Sequence, residues 1–307
     1  MTRTLLAICI LATAACGPTP HRGGDDDDGG GTVDAPDPGT DGPPAATCEK
    51  MDVLFVIDNS GSMGQEQTNL IANFPQFIAV LESSGLDYRV AVTTTGRDYN
   101  YAMTLPIGGA IPMSVDGGDN GAMLKPAACN MTRRWIEKGD ADPSGTFSCV
   151  ANVGTGGPGD EMPLSAMRDA FEDRMMDGTN AGFRRTDALL GVVFLTDEED
   201  CSYEQSVTFP FGQSLCDSMQ EPVDRYVQFL DAYTGHRSRW AAAAIAGPGP
   251  GACSSTFGNA DEATRLKQLI QLTGTNGRMS SICDGDLSIG LMAALQTFQS
   301  ACGGIIL

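Results

Sequence analysis

Histidine is nearly absent from this chain. The 307 residues include 2, His21 and His236. His21 lies in a stretch of Gly, Pro, Asp and Thr, so a histidine-based triad could use only His236. No GxSxG, SxxK or HExxH occurs. The usual settings for an activated serine or a catalytic zinc are therefore missing. No CxxC is present, which weakens a zinc or redox reading. Basic residues are also scarce: 19 Lys and Arg stand against 39 Asp and Glu, for a formal charge of −20. Nucleic-acid binding rests on neutralising phosphates, so that partner is excluded. No apolar run reaches the length of a stable membrane span, and no internal repeat is evident.

What is present begins with "MTRTLLAICILATAAC". One arginine precedes a short apolar run, Leu5 to Leu11, and then small residues. Residues 1–15 fit a secretory signal. "TAAC" at 13–16 resembles the lipobox of bacterial lipoproteins, which implies that Cys16 becomes the lipidated N-terminus. Ordinary signal cleavage is the alternative. Gly17 follows Cys16 where inner-membrane retention signals carry Asp. By resemblance to those signals, the expected location is the cell envelope, at the outer membrane. Residues 16–47 cannot bury apolar surface and read as a disordered tether. Its run Asp25–Asp28 could hold calcium loosely or be merely solvated.

With Cys9 in the signal and Cys16 set aside, eight of the 10 cysteines remain. An even number in an exported chain implies disulfides. Pairing neighbours gives Cys129–Cys149, Cys201–Cys216 and Cys253–Cys283, leaving Cys48–Cys302.

From Cys48 the pattern becomes globular, and 41% hydrophobic residues suffice for a sizeable core. "MDVLFVID" (51–58) is a continuous apolar run, as expected of a strand buried on both faces. Residues 66–85 have helical spacing at Leu70, Ile71, Phe74, Phe77, Ile78 and Leu81, with Pro75 predicting a kink or two short helices. Further strands are expected at 87–95, 187–200, 239–247 and 277–284, and helices at 162–175, 221–233, 261–274 and 286–302. Residues 96–160 are rich in Gly and Pro and read as a loop-rich insertion, with "GTGGPG" (154–159) a flexible loop. Alternating strands and helices predict an α/β domain over 48–307, Rossmann-like and doubly wound, with a mostly parallel central sheet flanked by helices.

The chemistry sits at strand ends. "DNSGSM" places Asp58, Ser60 and Ser62 just past the first strand, and "FLTDEE" places Asp197 just past another. In open α/β sheets, ligands bind beyond the carboxyl ends of the strands. Carboxylates and hydroxyls are hard oxygen donors suited to Mg²⁺, Ca²⁺ or Mn²⁺. A plain turn, with Asp58 or Ser60 capping the next helix, is the competing reading. Glu198, Glu199 and Asp200 read as a solvated rim, and Arg184 and Arg185 as surface residues that could pair with acids.

"DNSGSM" resembles the DxSxS motif of the von Willebrand factor type A domain, and "FLTDEE" resembles its later Thr-Asp. Together they resemble a metal ion-dependent adhesion site. The resemblance implies that Ser60 and Ser62 ligate one divalent cation directly, and that Asp58 and Asp197 do so directly or through water. The family usually adds a threonine from a Gly-rich loop. Here Glu161 falls at that position, with Asp160 beside it. A carboxylate there adds negative charge, favours Ca²⁺ and weakens attraction for a partner's carboxylate. The expectation is a non-enzymatic envelope lipoprotein that displays a metal-dependent binding or adhesion domain to a protein or surface-polymer partner. A scaffold with a purely structural metal is the alternative, and a metal-assisted hydrolase using Asp58 the remaining enzyme reading.

Overall fold

The computed structural model describes residues 48–203, 207–214, 216, 220–256 and 258–303. The expected signal segment, Cys16 and the tether lie outside these described residues.

Six strands form the main sheet: β1 (Lys50–Ile57), β2 (Asp87–Thr94), β5 (Ile136–Glu137), β6 (Leu189–Leu195), β8 (Trp240–Ala246) and β11 (Gly277–Ser281). Their order is β11-β8-β6-β1-β2-β5. All neighbours are parallel except β5, which runs antiparallel to β2 at the edge. The chain moves outward from β1 through β2, then restarts on the other side of β1 with β6, β8 and β11. The strand order therefore reverses at β1.

Both faces of this sheet are buried, which explains the continuous apolar strands. Met51, Val53, Phe55 and Ile57 point into one core, and Leu54 and Val56 into the other. The first core is closed by α1 (Gly64–Ser83), α2 (Pro143–Val150) and α7 (Leu287–Gly303). The second is closed by α3 (Pro163–Phe171), α5 (Val223–Thr234) and α6 (Thr264–Thr273), with the one-turn α4 (Asp173–Met176) following α3. Gly191 of β6 lets α7 close down, since a Cβ there would stand 2.7 Å from the Phe298 ring. The result is the expected α/β architecture with a mostly parallel sheet between helices.

Two expectations are narrowed or changed. Helix α1 is one element that runs through Pro75, so of the two alternatives the pair of short helices does not form. Pro75 faces solvent, so the carbonyl its ring displaces can reach water. Phe74 and Phe77 on either side pack edge-on against Phe55, at 5.7 and 5.6 Å between centroids, and hold both halves to the core. The stretch 96–160 is more structured than a loop. It contains β3 (Tyr99–Thr104), β4 (Ala110–Val115), β5 and α2, whose start is capped by Asp142 accepting from Gly145 N at 2.8 Å. Strands β4 and β3 join β7 (Val207–Pro210) in a separate three-stranded sheet. A short hairpin of β9 (Cys253–Ser255) and β10 (Gly258–Ala260) completes the strands.

The cysteines pair as expected: Cys48–Cys302, Cys129–Cys149, Cys201–Cys216 and Cys253–Cys283, with Cα separations of 5.2, 5.6, 4.5 and 6.2 Å. The first ties the start of β1 to the end of α7. Arg184 and Arg185 are not surface residues. Arg185 bonds the fully buried Asp52 at 2.8 Å and Asp87 at 2.7 Å, and Arg184 lies 3.8 Å from Asp52.

Candidate metal centre

Strands β1 and β6 lie side by side, with Ile57 opposite Leu195. The backbone N–H of Asp58 donates to Leu195 O at 2.9 Å. The carboxyl ends of both strands therefore release their loops at the same place, the point where the strand order reverses. Asp58 is fully buried there. Its Oδ1 accepts from Ser60 N at 2.7 Å and its Oδ2 from Thr196 Oγ1 at 2.6 Å. Ser60 Oγ lies 3.1 Å from Ser62 Oγ, and Ser62 Oγ donates to Asp197 Oδ1 at 3.1 Å. Asp58, Ser60, Ser62 and Asp197 are thus linked, as their positions at strand ends suggest. The capping alternative is not what forms: α1 starts after Met63, and no side chain caps it.

Glu161 arrives from the loop before α3. Its carbonyl accepts from Cys201 N at 2.7 Å, and Met162 N donates to Thr95 O at 3.3 Å. These bonds carry its side chain into the site, where the Thr95 hydroxyl donates to Oε2. The charge of Asp58 acts directly on the Glu161 carboxyl. Oε1 is buried without a partner. Asp160 points elsewhere, accepting from the Tyr99 hydroxyl beside Cys201 and Cys216. Those two sulfurs are joined in a disulfide and offer no thiolate, so that group is not a cation site.

The Gly-rich loop is pinned rather than flexible. Gln67 Nε2 donates to Asp58 O at 2.9 Å and to Gly154 O at 2.8 Å, and Gly157 N donates to Asn59 O at 2.9 Å. The expected acidic rim is also corrected. Glu199 accepts from Thr264 N and Arg265 N, at 2.8 and 3.0 Å, at the start of α6. Asp200 is fully buried, pairs with Arg265 at 2.8 Å and accepts from Leu164 N at 3.1 Å, at the start of α3. Of the three acids, Glu198 alone stays with the site.

Sequence reasoning missed Glu66, which is 2% exposed and has Oε2 without a partner. Its position carried a signal: Glu66, Leu70, Phe74, Phe77 and Leu81 lie on one buried stripe of α1. An acid on that stripe is out of place unless something compensates it. Thr95 and Thr196 were missed as partners because their roles depend on strand pairing.

The electrostatics are one-sided. Burial first, then the charge of Asp58, pushes Glu161 up to about 9. Burial, with Asp58 and Glu66 nearby, raises Asp197 to about 6 despite the Ser62 hydrogen bond. Burial, with Asp58 and Asp197, raises Glu198 to about 7. Asp58 and Glu66 are raised by burial as well. Among the described residues, no Lys, Arg or His forms an ion pair with any of these five acids. An oxygen-only donor set, orphaned buried carboxylate oxygens and uncompensated like charges fit a hard divalent cation. His236 lies near the opposite end of the sheet, just before β8, where it bonds Ser238 at 2.9 Å.

No protein-family model matches the chain, and no curated protein matches it. Solved structures resemble it distantly. One is proximal thread matrix protein 1 from the mussel byssus, at 13% identity and a TM-score of 0.42, covering 82% of this chain and 49% of that one. Another is the pilus adhesin SpaC from Lactobacillus rhamnosus GG, at 11% identity and a TM-score of 0.43, covering 81% and 30%. The chain therefore spans about half of the first protein and under a third of the second.

Proposed function

We propose that the chain is a von Willebrand factor type A-like domain that binds one divalent cation and uses it to hold a partner. The observation that carries this reading is the convergence of Asp58, Ser60, Ser62 and Asp197 on one point beside two buried, unpaired carboxylate oxygens. Ser60 and Ser62 would ligate the ion, with Asp58 and Asp197 bound directly or through water. Glu161 would take the remaining protein position. Bound there, the cation would supply positive charge to a cluster that otherwise repels itself, and an open position for a partner's oxygen. Thr196 and Thr95 orient Asp58 and Glu161 by donating to them, and Gln67 holds the loop backbone.

The extra carboxylate favours Ca²⁺ and a neutral or water-bridged partner group over a partner carboxylate. The proposed setting is the cell envelope, with Cys16 as the lipid attachment site, a protein or surface polymer as partner, and no catalysis. A purely structural metal is the second reading, favoured by the burial of Glu161 and Glu66 around the site.

Calorimetric titration of Ca²⁺, Mg²⁺ and Mn²⁺ into chelator-treated protein tests the site, with Ser62→Ala alongside. One ion bound per chain, weakened in the variant, is the expected result. No heat at millimolar metal would end the proposal. If the ion binds, its removal separates the two readings: a structural metal would take the fold with it, whereas a binding metal would leave the fold standing.

A further inference from the structure

The three-stranded sheet β4-β3-β7 ends in a cluster of exposed apolar side chains. Ile107, at the β3–β4 turn, is 93% exposed, and Phe211, just after β7, is 62% exposed. The two turns lie at the same end, because Thr104 pairs with Pro210 and Phe211 N donates to Thr104 O at 2.9 Å. Ile111 and Met113 extend the cluster along β4, opposite Met103 and Tyr101. The platform beneath is packed and cross-linked. Tyr99 and Phe209 pack with Met162 and Tyr203, and the Cys201–Cys216 disulfide lies in the same cluster.

Three features say what this tip meets. It is convex: a Cβ added at Gly108, Gly109 or Gly212 would touch nothing within 4 Å. Single large side chains, Ile107 and Phe211, project from the two turns. It is uncharged: no Asp, Glu, Lys or Arg occurs from Tyr99 to Val115 or from Val207 to Ser214, in a chain where 19% of residues are charged. The backbone of its two turns is partly self-satisfied. Leu105 N donates to Gly109 O and Gly108 N to Leu105 O, both at 3.0 Å, and Gln213 N donates to Pro210 O at 3.2 Å. Pro106, Pro112 and Pro210 carry no N–H. A segment that enters hydrocarbon must pair its own backbone, and a strand-adding partner needs the opposite. Tyr101 stands behind the tip, stacked on Phe209 with 5.1 Å between ring centroids.

We propose that this tip dips into the interface of a neutral, zwitterionic lipid bilayer, with Ile107 and Phe211 as the inserting side chains. The proposal depends on neither the cation site nor the lipid anchor. The test is vesicle flotation of residues 16–307 carrying Cys16→Ala, so that neither an acyl chain nor the apolar run Leu5–Leu11 contributes. The protein should float with phosphatidylcholine vesicles, and less well when phosphatidylglycerol is added, because the chain carries −20. Ile107→Asp and Phe211→Asp should each lower partitioning by about tenfold or more, with the melting curve unchanged because both side chains are exposed. A parent protein that stays in the buffer, or variants that float equally well, would overturn it. So would self-association of the parent that both variants abolish, which would assign the patch to a second copy.

Discussion

Strand β1 carries one fully buried aspartate near its start and releases another just past its end. At Asp52 the protein supplies the counter-charge itself. Arg185 donates its backbone N–H at 2.6 Å and its Nε at 2.8 Å, and Arg184 stands behind it. At Asp58 the donors are neutral hydroxyl and amide groups, and the charged neighbours are further acids. Burial of a carboxylate is thus handled in two ways within one strand. One end is a closed ion-pair network that fixes the 184–187 turn against β1. The other is left short of positive charge, the deficit that the proposed cation would fill.

Four experiments would break or sharpen this contrast. The largest effect is expected at the amino end. Asp52→Ala removes the fully buried acceptor of Arg185 and the nearest carboxylate to Arg184, leaving Arg185 with Asp87, and should cost about 3 kcal/mol in urea unfolding, while metal titration stays as in the parent. At the other end, Asp58→Asn should do the reverse. It removes one repelling charge and keeps an acceptor for Ser60 N, so the metal-free protein should gain on the order of 1 kcal/mol, and the metal response should vanish. A loss of stability like that of Asp52→Ala would erase the distinction.

The third experiment uses pH. The Glu161 carboxyl is raised from 4.5 to about 9 in the fold, by burial and then by Asp58. Between those values the folded state holds a proton that the unfolded chain has released, so stability falls as pH rises through this window. Melting temperature of the metal-free protein should therefore drop from pH 5 to pH 9 by roughly several degrees. Saturating Ca²⁺ should flatten the curve. The smallest effect is expected from Lys50→Ala, which breaks a half-exposed pair with Asp187 at the amino end. Chemical denaturation should register under about 1 kcal/mol, showing that burial, not pairing alone, gives Asp52 its weight.

The central strands were legible because a strand buried on both faces is uniformly apolar, as in Phe55–Val56–Ile57. Asp58, Ser60, Ser62 and Asp197 were legible because strand ends are where such a sheet places its donors. The β3–β4 hairpin was not, since Pro112 and the Gly108–Gly109 turn obscure its alternation and its pairing with β7 is set far along the chain. Asp200 resembled its solvated neighbours because its partner, Arg265, lies in another helix. Glu66 was readable only as a violation of the α1 stripe. Short separations made three of the disulfides natural neighbours, and elimination joined the remaining two cysteines.

The Cys48–Cys302 bridge has a mechanical consequence. Tension entering the folded domain at Cys48 meets β1 end-on, and the bridge fastens α7 to the same point. A pull between that entry and a load applied at Asp58 runs along β1, which is flanked on both sides by parallel neighbours in register from Met51 to Ile57. The strand cannot peel away bond by bond. It would have to slide past β2 and β6 together, breaking both ladders in shear, so the line joining the chain's entry to its candidate site follows the stiffest direction of the sheet.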